Sequence, residues 1–305
     1  MSSDCTIRNY RPDDFEALVQ LKNEATSLAA DGHYLSPQAL RDALGRPNYT
    51  PEQYLFIAKI SETVIGYLDI TNETRIGRAI FECLVLPGYR QQGIARMLYD
   101  EALPRAKISG ANVVHVNVRE DNTLSHKILE KAGFRPVRHF YEMSIELDII
   151  PEHLSHTTFP IRSLQIGEEA VLTELQNHAY AGSWGYNPNT VEEIGYSVST
   201  AGDVLEGICF ALDKDRPVGY FWTGIEHDRQ DKRRGRVSML GTDPDYRGRG
   251  IGKELLLAGL SYLKSRGLHV VQLTVDSENV VAESLYRSVG FKQIDSSLWY
   301  EKAIE

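Results

Sequence analysis

The period of apolar and polar positions changes several times along the chain, and the changes come twice in the same order. Residues 54–60 and 64–70 are apolar runs rich in β-branched and aromatic side chains, separated by Ser61, Glu62 and Thr63, which reads as two strands joined by a tight turn. Residues 207–212 and 218–224 repeat that hairpin. Apolar runs at 79–85 and 236–242 predict the next strand of each series. After each comes a glycine-containing turn and then helical spacing: Ile94, Met97, Leu98 and Ala102 in the first series, Ile251, Leu255, Leu256, Leu260 and Leu263 in the second. Pro104 is expected to kink or end the first of these helices. Strands at 113–118 and 270–275 follow, then short helices stopping at Gly133 and Gly290, each placed for a C-cap. The expected class is α+β, with a mostly antiparallel mixed sheet flanked by helices in each half.

The two series are copies of one pattern. Pro87, Arg90 and Gly93 recur as Pro244, Arg247 and Gly250, and 244 − 87, 247 − 90 and 250 − 93 all give 157. Asn122, Gly133 and Phe134 recur as Asn279, Gly290 and Phe291 at the same offset. Glycine makes up only about 7% of ordinary sequence, so a fixed offset held by several Gly, Pro, Arg and Asn positions is poorly explained by chance. Earlier in the copies, Gly66 and Gly219 stand 153 apart, so the second copy carries four extra residues, expected in the polar hairpin at 227–235. The expected domains are 1–150 and 151–305. Their seam is expected in 148–160, where Pro151, His153, Ser155, His156, Thr157, Thr158 and Pro160 interrupt the pattern. About 150 residues is enough for each to build its own core.

Composition narrows the function. The 305 residues are 42% hydrophobic and 25% charged, which excludes wholesale disorder, collagen and disulfide scaffolds. Lys plus Arg number 33 against 42 Asp plus Glu, a net charge of −9 without a long basic block, so nucleic acid and anionic membrane are not expected partners, while a small cationic amine is compatible. Cys5, Cys83 and Cys209 form no CxxC pair, so neither a disulfide framework nor a metal site is expected, and Cys83 and Cys209 read as small hydrophobes in apolar strands. The first residues are polar and acidic where a signal peptide needs a basic start and an apolar run, and no stretch approaches about 18 apolar residues. A cytoplasmic location is expected.

The chemistry lies in the turns. Around Arg247, Gly248, Arg249, Gly250, Ile251, Gly252 and Lys253, glycines let backbone N–H groups converge where a helix begins, and the positive end of that helix favours an anion. The bland alternative is a tight strand-to-helix connection. No Gly-Lys-Ser/Thr ending and no dinucleotide fingerprint accompanies it, so nucleotide hydrolysis and nicotinamide binding are disfavoured.

An Arg-x-x-Gly-x-Gly/Ala turn after a strand and a proline, followed by Asn-x6-Tyr-x3-Gly-Phe, resembles the GCN5-related N-acetyltransferases (GNAT). The second copy matches throughout with Arg247, Gly250, Gly252, Asn279, Tyr286, Gly290 and Phe291. The first matches with Arg90, Gly93, Ala95, Asn122, Gly133 and Phe134 but has Leu129 where the tyrosine would stand. Within that family the chain looks like the tandem enzymes of the mycothiol synthase type, on Pro217 to Thr223, Leu240 to Pro244, and Trp184 and Gly185 before Pro188 to Glu193. Such enzymes carry a lysine after the Trp-Thr pair and a glutamate early in the fourth strand, where this chain has Gly224 and Arg236.

The resemblance implies acetyl-CoA as cosubstrate, its pyrophosphate on the N–H groups of Arg247 to Lys253. It implies a pantetheine arm paired along Leu240, Gly241 and Thr242, with Asn279 beside it or serving as a plain helix N-cap. A bulge in the fourth strand would aim a backbone N–H, that of Leu240, at the thioester oxygen. Tyr286, a phenol with an ordinary pKa of about 10, would protonate the leaving thiolate; otherwise it is a core tyrosine beside Phe291. In the first copy the implied contacts are Cys83, Leu84, Val85, Arg90, Gln91, Gln92, Gly93, Ile94, Ala95, Arg96 and Asn122. There Glu82 stands where many relatives keep an acid, but Leu129 cannot donate a proton, so that copy reads as catalytically impaired. Trp184 and Trp222 would line the acceptor cleft or lie in the core. Glu226, Asp276 and Glu278 are candidate bases, each also readable as a solvated carboxylate. The Lys232 to Arg236 run reads as a solvated hairpin. The expected activity is acetyl transfer to the primary amine of a small molecule in the C-terminal half. The rivals are a protein or peptide N-acetyltransferase and a non-catalytic acetyl-CoA sensor.

Overall fold

The computed structural model describes residues 5–26, 34–150, 157–200, 202–227 and 232–305. The first copy runs β1 (Cys5–Asn9), α1 (Phe15–Thr26), α2 (Pro37–Leu44), α3 (Pro51–Tyr54), β2 (Leu55–Ile60), β3 (Thr63–Glu73), β4 (Arg78–Val85), α4 (Ile94–Ile108), β5 (Val113–Arg119), α5 (Thr123–Lys131) and β6 (Arg135–Glu146). The second runs β7 (Ile161–Ser163), α6 (Glu169–Ala179), α7 (Val191–Thr200), β8 (Ile208–Asp213), β9 (Arg216–His227), β10 (Arg233–Thr242), α8 (Ile251–Ser265), β11 (Val270–Asp276), α9 (Val280–Val289) and β12 (Lys292–Ala303). The class is the expected one. Of the polar hairpin at 227–235, residues 228–231 lie outside the described residues, as do 151–156 of the expected seam.

Two compact units form, but they do not follow the copies. One comprises 1–137 with 298–305, the other 138–297. In the first, β1 to β5 lie side by side and the end of β12 adds next to β5. Tyr300 is buried in that unit's core, and Ile304 donates its N–H to Asn112 O at 2.8 Å. In the second, residues 140–146 of β6 pair antiparallel with 270–276 of β11, and Met143, Ile145 and Leu147 enter its core. Each copy therefore gives the later part of its last strand to the other unit. A strand's alternation specifies one buried face but not which of two similar sheet edges it joins.

Each unit buries both faces of its sheet. In the first, Ile94, Leu98, Ala102 and Ala106 of α4 pack with Phe56, Ile65, Leu68 and Phe81 on one face, while Leu18, Leu21 and Leu40 of α1 and α2 cover Leu55, Ile57 and Tyr67 on the other. Met97 is outside that stripe and exposed. Helix α4 runs through Pro104 to Ile108, so the proline does not end it; buried Ala102 and Ala106 lie on either side. In the second unit the stripe Ile251, Leu255, Leu256, Leu260 and Leu263 is fully buried under the sheet, each side chain contributing about 1.5–3 kcal/mol. Arg8 clamps Asp14 at 2.6 Å, and Arg162 clamps Glu168 at 2.6 Å at the equivalent place in the second copy.

One packing pair differs in size between copies while conserving volume. Gly259 of α8 faces Phe221; the equivalent residues are Ala102 and Leu68. A Cβ on Gly259 would lie 1.6 Å from a ring carbon of Phe221, which is itself fully buried. Alanine normally favours a helix by about 1 kcal/mol over glycine, but overpacking costs about 1–3 kcal/mol or more. Gly259→Ala is thus expected to lower the thermal midpoint by several degrees, and a raised midpoint in a melting curve would contradict this packing.

Candidate active site

In both units the fourth and fifth strands part. Strand β4 pairs with β5 only at Arg78, Ala79 and Ile80, though it continues to Val85. Strand β10 pairs with β11 only at Gly235 and Arg236, though it continues to Thr242. Residues 81–85 and 237–242 therefore have a strand neighbour on one side only, and the other edge offers its N–H and C=O groups to an extended ligand. Cys83, Leu84 and Val85 lie on the first open edge, and Leu240, Gly241 and Thr242 on the second. Cys83 is exposed there.

A bulge separates the copies. In β10 the pairing with β9 slips between Val237 and Met239, leaving Ser238 as the extra residue just before Leu240. The pairing of β3 with β4 runs unbroken from Gly66 opposite Val85 to Glu73 opposite Arg78. A bulge re-aims the backbone groups beside it, and only the second open edge carries one.

Beyond each open edge a helix starts without a side-chain cap. Gly93 before α4 and Gly250 before α8 are left-handed, with φ 83° and 84°. By contrast α2, α5 and α9 are capped by Ser36, Asn122 and Asn279. A Cβ on Gly250 or Gly93 would meet nothing within 4 Å, so both turns face open space at a helix start, where an anionic ligand is favoured. Gly248 is also left-handed, and its counterpart Gln91 holds φ 62°. Gly252 is ordinary helix, where Ala95 serves in the first copy. The arginines of the turns tie them down: Arg247 donates to Ala179 O at 2.6 Å and Arg90 to Val85 O at 2.9 Å. Asn279 and Asn122 accept from Ala282 N and Ser125 N, so their side-chain oxygens serve as caps.

Tyr286 lies in α9, nearly buried, with its ring edge-on to Phe291 at 5.8 Å. Burial, with the neighbouring Tyr180, raises its pKa above the usual phenol value, so it stays protonated at neutral pH. Tyr180 donates its hydroxyl to Leu240 O at 2.8 Å and stacks on Tyr186, and burial pushes its pKa up to about 12. Tyr220 lies under Gly241, where an added Cβ would come within 2.4 Å of the ring, and its fully buried hydroxyl neighbours that of Tyr180. These tyrosines gather at the bulged edge. The repeated Gly-Tyr pair, Tyr67 and Tyr220, was the available sequence signal for one of them.

The candidate acceptor residues separate. Trp222 is buried in the core under α6 and α7, whereas Trp184 is half-buried against Phe140 at 6.0 Å with Arg138 over its face. Arg138 grips both oxygens of Asp276, at 3.0 and 2.9 Å, and reaches Glu278 at 2.5 Å. Asp276 is thus an anchored carboxylate. Arg236 pairs with Glu142, which also accepts from Thr274 at 2.6 Å, and lies 3.8 Å from Glu226. Among the described residues no group of three or more His, Cys, Asp or Glu could hold a metal, and no helix is long and apolar enough to cross a membrane.

The acetyltransferase (GNAT) family model matches residues 15–134 and 171–291, one match per copy. The chain belongs to the GNAT acetyltransferase family. It is an acetyl-CoA-dependent N-acetyltransferase. It is 31% identical over 297 residues to a mycothiol acetyltransferase of Actinosynnema mirum, covering 95% of this chain and 96% of that one. A GCN5-related N-acetyltransferase structure from Sphaerobacter thermophilus has a TM-score of 0.75 at 23% identity, covering 100% of this chain and 97% of that one. A tandem GNAT protein from the clavulanic acid biosynthesis pathway has a TM-score of 0.74 at 14% identity, covering 99% of both chains.

The acetyltransferase holds one more charged group beside an open edge. In the first copy Lys22 Nζ donates to Glu82 Oε1 at 2.8 Å and to the Tyr67 hydroxyl at 2.9 Å, and Tyr67 also donates to Glu82. Crowding raises the Glu82 pKa, but the Lys22 charge and the two hydrogen bonds outweigh it and hold the carboxyl below its ordinary value. Leu129 packs against the core at the place that Tyr286 has in the second copy.

Proposed function

We propose that the chain moves the acetyl group of acetyl-CoA to a primary amine of a small molecule, with turnover in the second copy. The observation that carries this reading is the combination found around β10: an open strand edge, the bulge at Ser238, an uncapped helix start at Gly250 and Tyr286 close by. The bound cosubstrate supplies an activated acetyl thioester. The chain's own groups do the rest. The N–H groups between Arg247 and Lys253 hold the diphosphate, Leu240 to Thr242 pair with the pantetheine arm, and the Leu240 N–H stabilises negative charge developing on the thioester oxygen. Tyr286 gives its proton to the departing sulfur. The first copy keeps the open edge and the turn but lacks the bulge and the tyrosine, so it holds CoA with little turnover.

The small acceptor is supported by the relative named a mycothiol acetyltransferase and by Trp184, which meets Phe140 and carries Arg138 over its face. Arg236 and Gly224 stand where the mycothiol synthase type carries acid and lysine, which speaks against the mycothiol precursor itself as the acceptor. The cytoplasm fits the three free cysteines. The test is acetyl-CoA-dependent thiol release across a panel of small amines and peptides. Turnover with small amines is expected, which also disposes of the sensor reading. Turnover confined to peptides would overturn the small-acceptor assignment.

A further inference from the structure

The two copies can be superimposed residue by residue around their equivalent tyrosines. Asn23 accepts from Leu35 N and donates to its O, and Asn177 does the same with Asn189; the pairs lie 154 apart, which aligns Lys22 with Gln176. Tyr67 aligns with Tyr220 at 153, and Glu82 with Met239 at 157. In the second copy Gln176 and the Tyr220 hydroxyl are buried beside Tyr186 and Tyr180, and Met239 stands where the first copy has a carboxylate. In the first copy the same three positions hold an amine, a hydroxyl and a carboxylate bonded to one another.

Glu82 is on the open edge of β4, one residue before Cys83, and Cys83 is the counterpart of Leu240. One strand residue spans about 3.3 Å, so the Lys22 amine stands beside the place where the second copy would present the thioester. It is not a roaming surface lysine. Its side chain is 16% exposed and its Nζ lies 4.3 Å from the centre of the Tyr67 ring.

We propose that the first copy acetylates its own Lys22, with Glu82 as the base. The proposal rests on the reading that the first copy holds acetyl-CoA. Lys22 gives one proton to Glu82, and from there to solvent. Its lone pair then attacks the thioester carbon, the N–C bond forms and the C–S bond breaks. The sulfur leaves with the electron pair and takes the second proton of the nitrogen through water, since Leu129 has none to give. A cosubstrate lying on the open edge excludes water from the Lys22–Glu82 pair, and loss of solvation favours the neutral amine and acid over the ion pair. Fixing the amine beside the carbonyl supplies the effective concentration that a free lysine lacks. The product is a neutral acetyllysine, formed once per chain, that leaves Glu82 without its ammonium.

The experiment incubates the full chain with isotopically labelled acetyl-CoA and follows every lysine by peptide mass spectrometry, with CoA stoichiometry and amine turnover measured alongside. Label at Lys22 is expected to appear at least about tenfold faster than at other lysines, given the effective molarity of a held nucleophile. Glu82→Gln, which keeps the shape of the group, is expected to slow labelling by about 10²-fold or more. Gly93→Val is expected to abolish it. Two CoA bound per chain and normal amine turnover with no label at Lys22 would overturn this proposal and leave the proposed function standing. One CoA per chain, bound by the second copy, would overturn the proposal together with the reading of the first copy. Label at Lys22 no faster than elsewhere, or unaffected by Glu82→Gln, would likewise overturn it.

Discussion

Tyr286→Phe lowers kcat by about 10²- to 10⁴-fold, the usual worth of a positioned general acid, while leaving acetyl-CoA affinity nearly unchanged. Phenylalanine keeps the ring that packs edge-on against Phe291 and deletes only the hydroxyl, so the fold has little reason to respond. Burial raises the phenol pKa. The acid form is therefore present through neutral pH and is lost only as pH climbs past the raised value, so the wild-type enzyme should show no alkaline fall in kcat from this group below about pH 10. The measurement is pre-steady-state acetyl transfer with a good amine, where chemistry limits the rate. Wild-type kcat in a folded Tyr286→Phe variant would remove the acid role.

Gly250→Val abolishes nearly all turnover and weakens acetyl-CoA binding by about tenfold or more, each decade being about 1.4 kcal/mol. Gly250 is left-handed at φ 84° and faces open space, so valine brings a strain of about 1–2 kcal/mol and a branched side chain over the N–H groups of the helix start. The equivalent Gly93→Val strains a backbone at φ 83° in the same way but should cost chiefly one bound CoA per chain and the thermal stabilisation which that ligand gives. Titration calorimetry, melting with and without CoA, and amine turnover on both variants decide the matter. Equal loss of turnover in two folded variants would mean that the first copy is catalytic or tightly coupled.

The repeat and the α+β class were legible because hydrophobic period and glycine spacing are local properties. The α8 stripe from Ile251 to Leu263 is one example, and the left-handed Gly93 and Gly250 are another: the turns demand a backbone that only glycine adopts cheaply. Other features were opaque for equally physical reasons. The continuation of α4 through Pro104 depends on buried alanines gripping both sides of a weak point. Trp222 and Trp184 look alike in sequence, yet one is core and the other is half-buried under Arg138, a distinction made by the helices packed over β9. Asp276 reads as a free acid until Arg138, 138 residues away in the chain, is found gripping it.

By itself the sequence determined two copies of one strand, turn and helix order, the phosphate-type turns, and which copy carries a tyrosine seven residues after its asparagine. These follow from periodicity, from backbone freedom at glycine and from spacing within one helix, all settled within about two dozen residues. Only the tertiary structure decided that each copy gives the later part of its last strand to the other unit, that Ser238 bulges while β4 pairs evenly, and that Lys22, Tyr67 and Glu82 meet at an open edge. Strand partners, register slips and side-chain meetings are choices among many distant groups of similar affinity. The choice is made by the whole packed core, since a strand's own pattern selects a face and leaves its neighbour free.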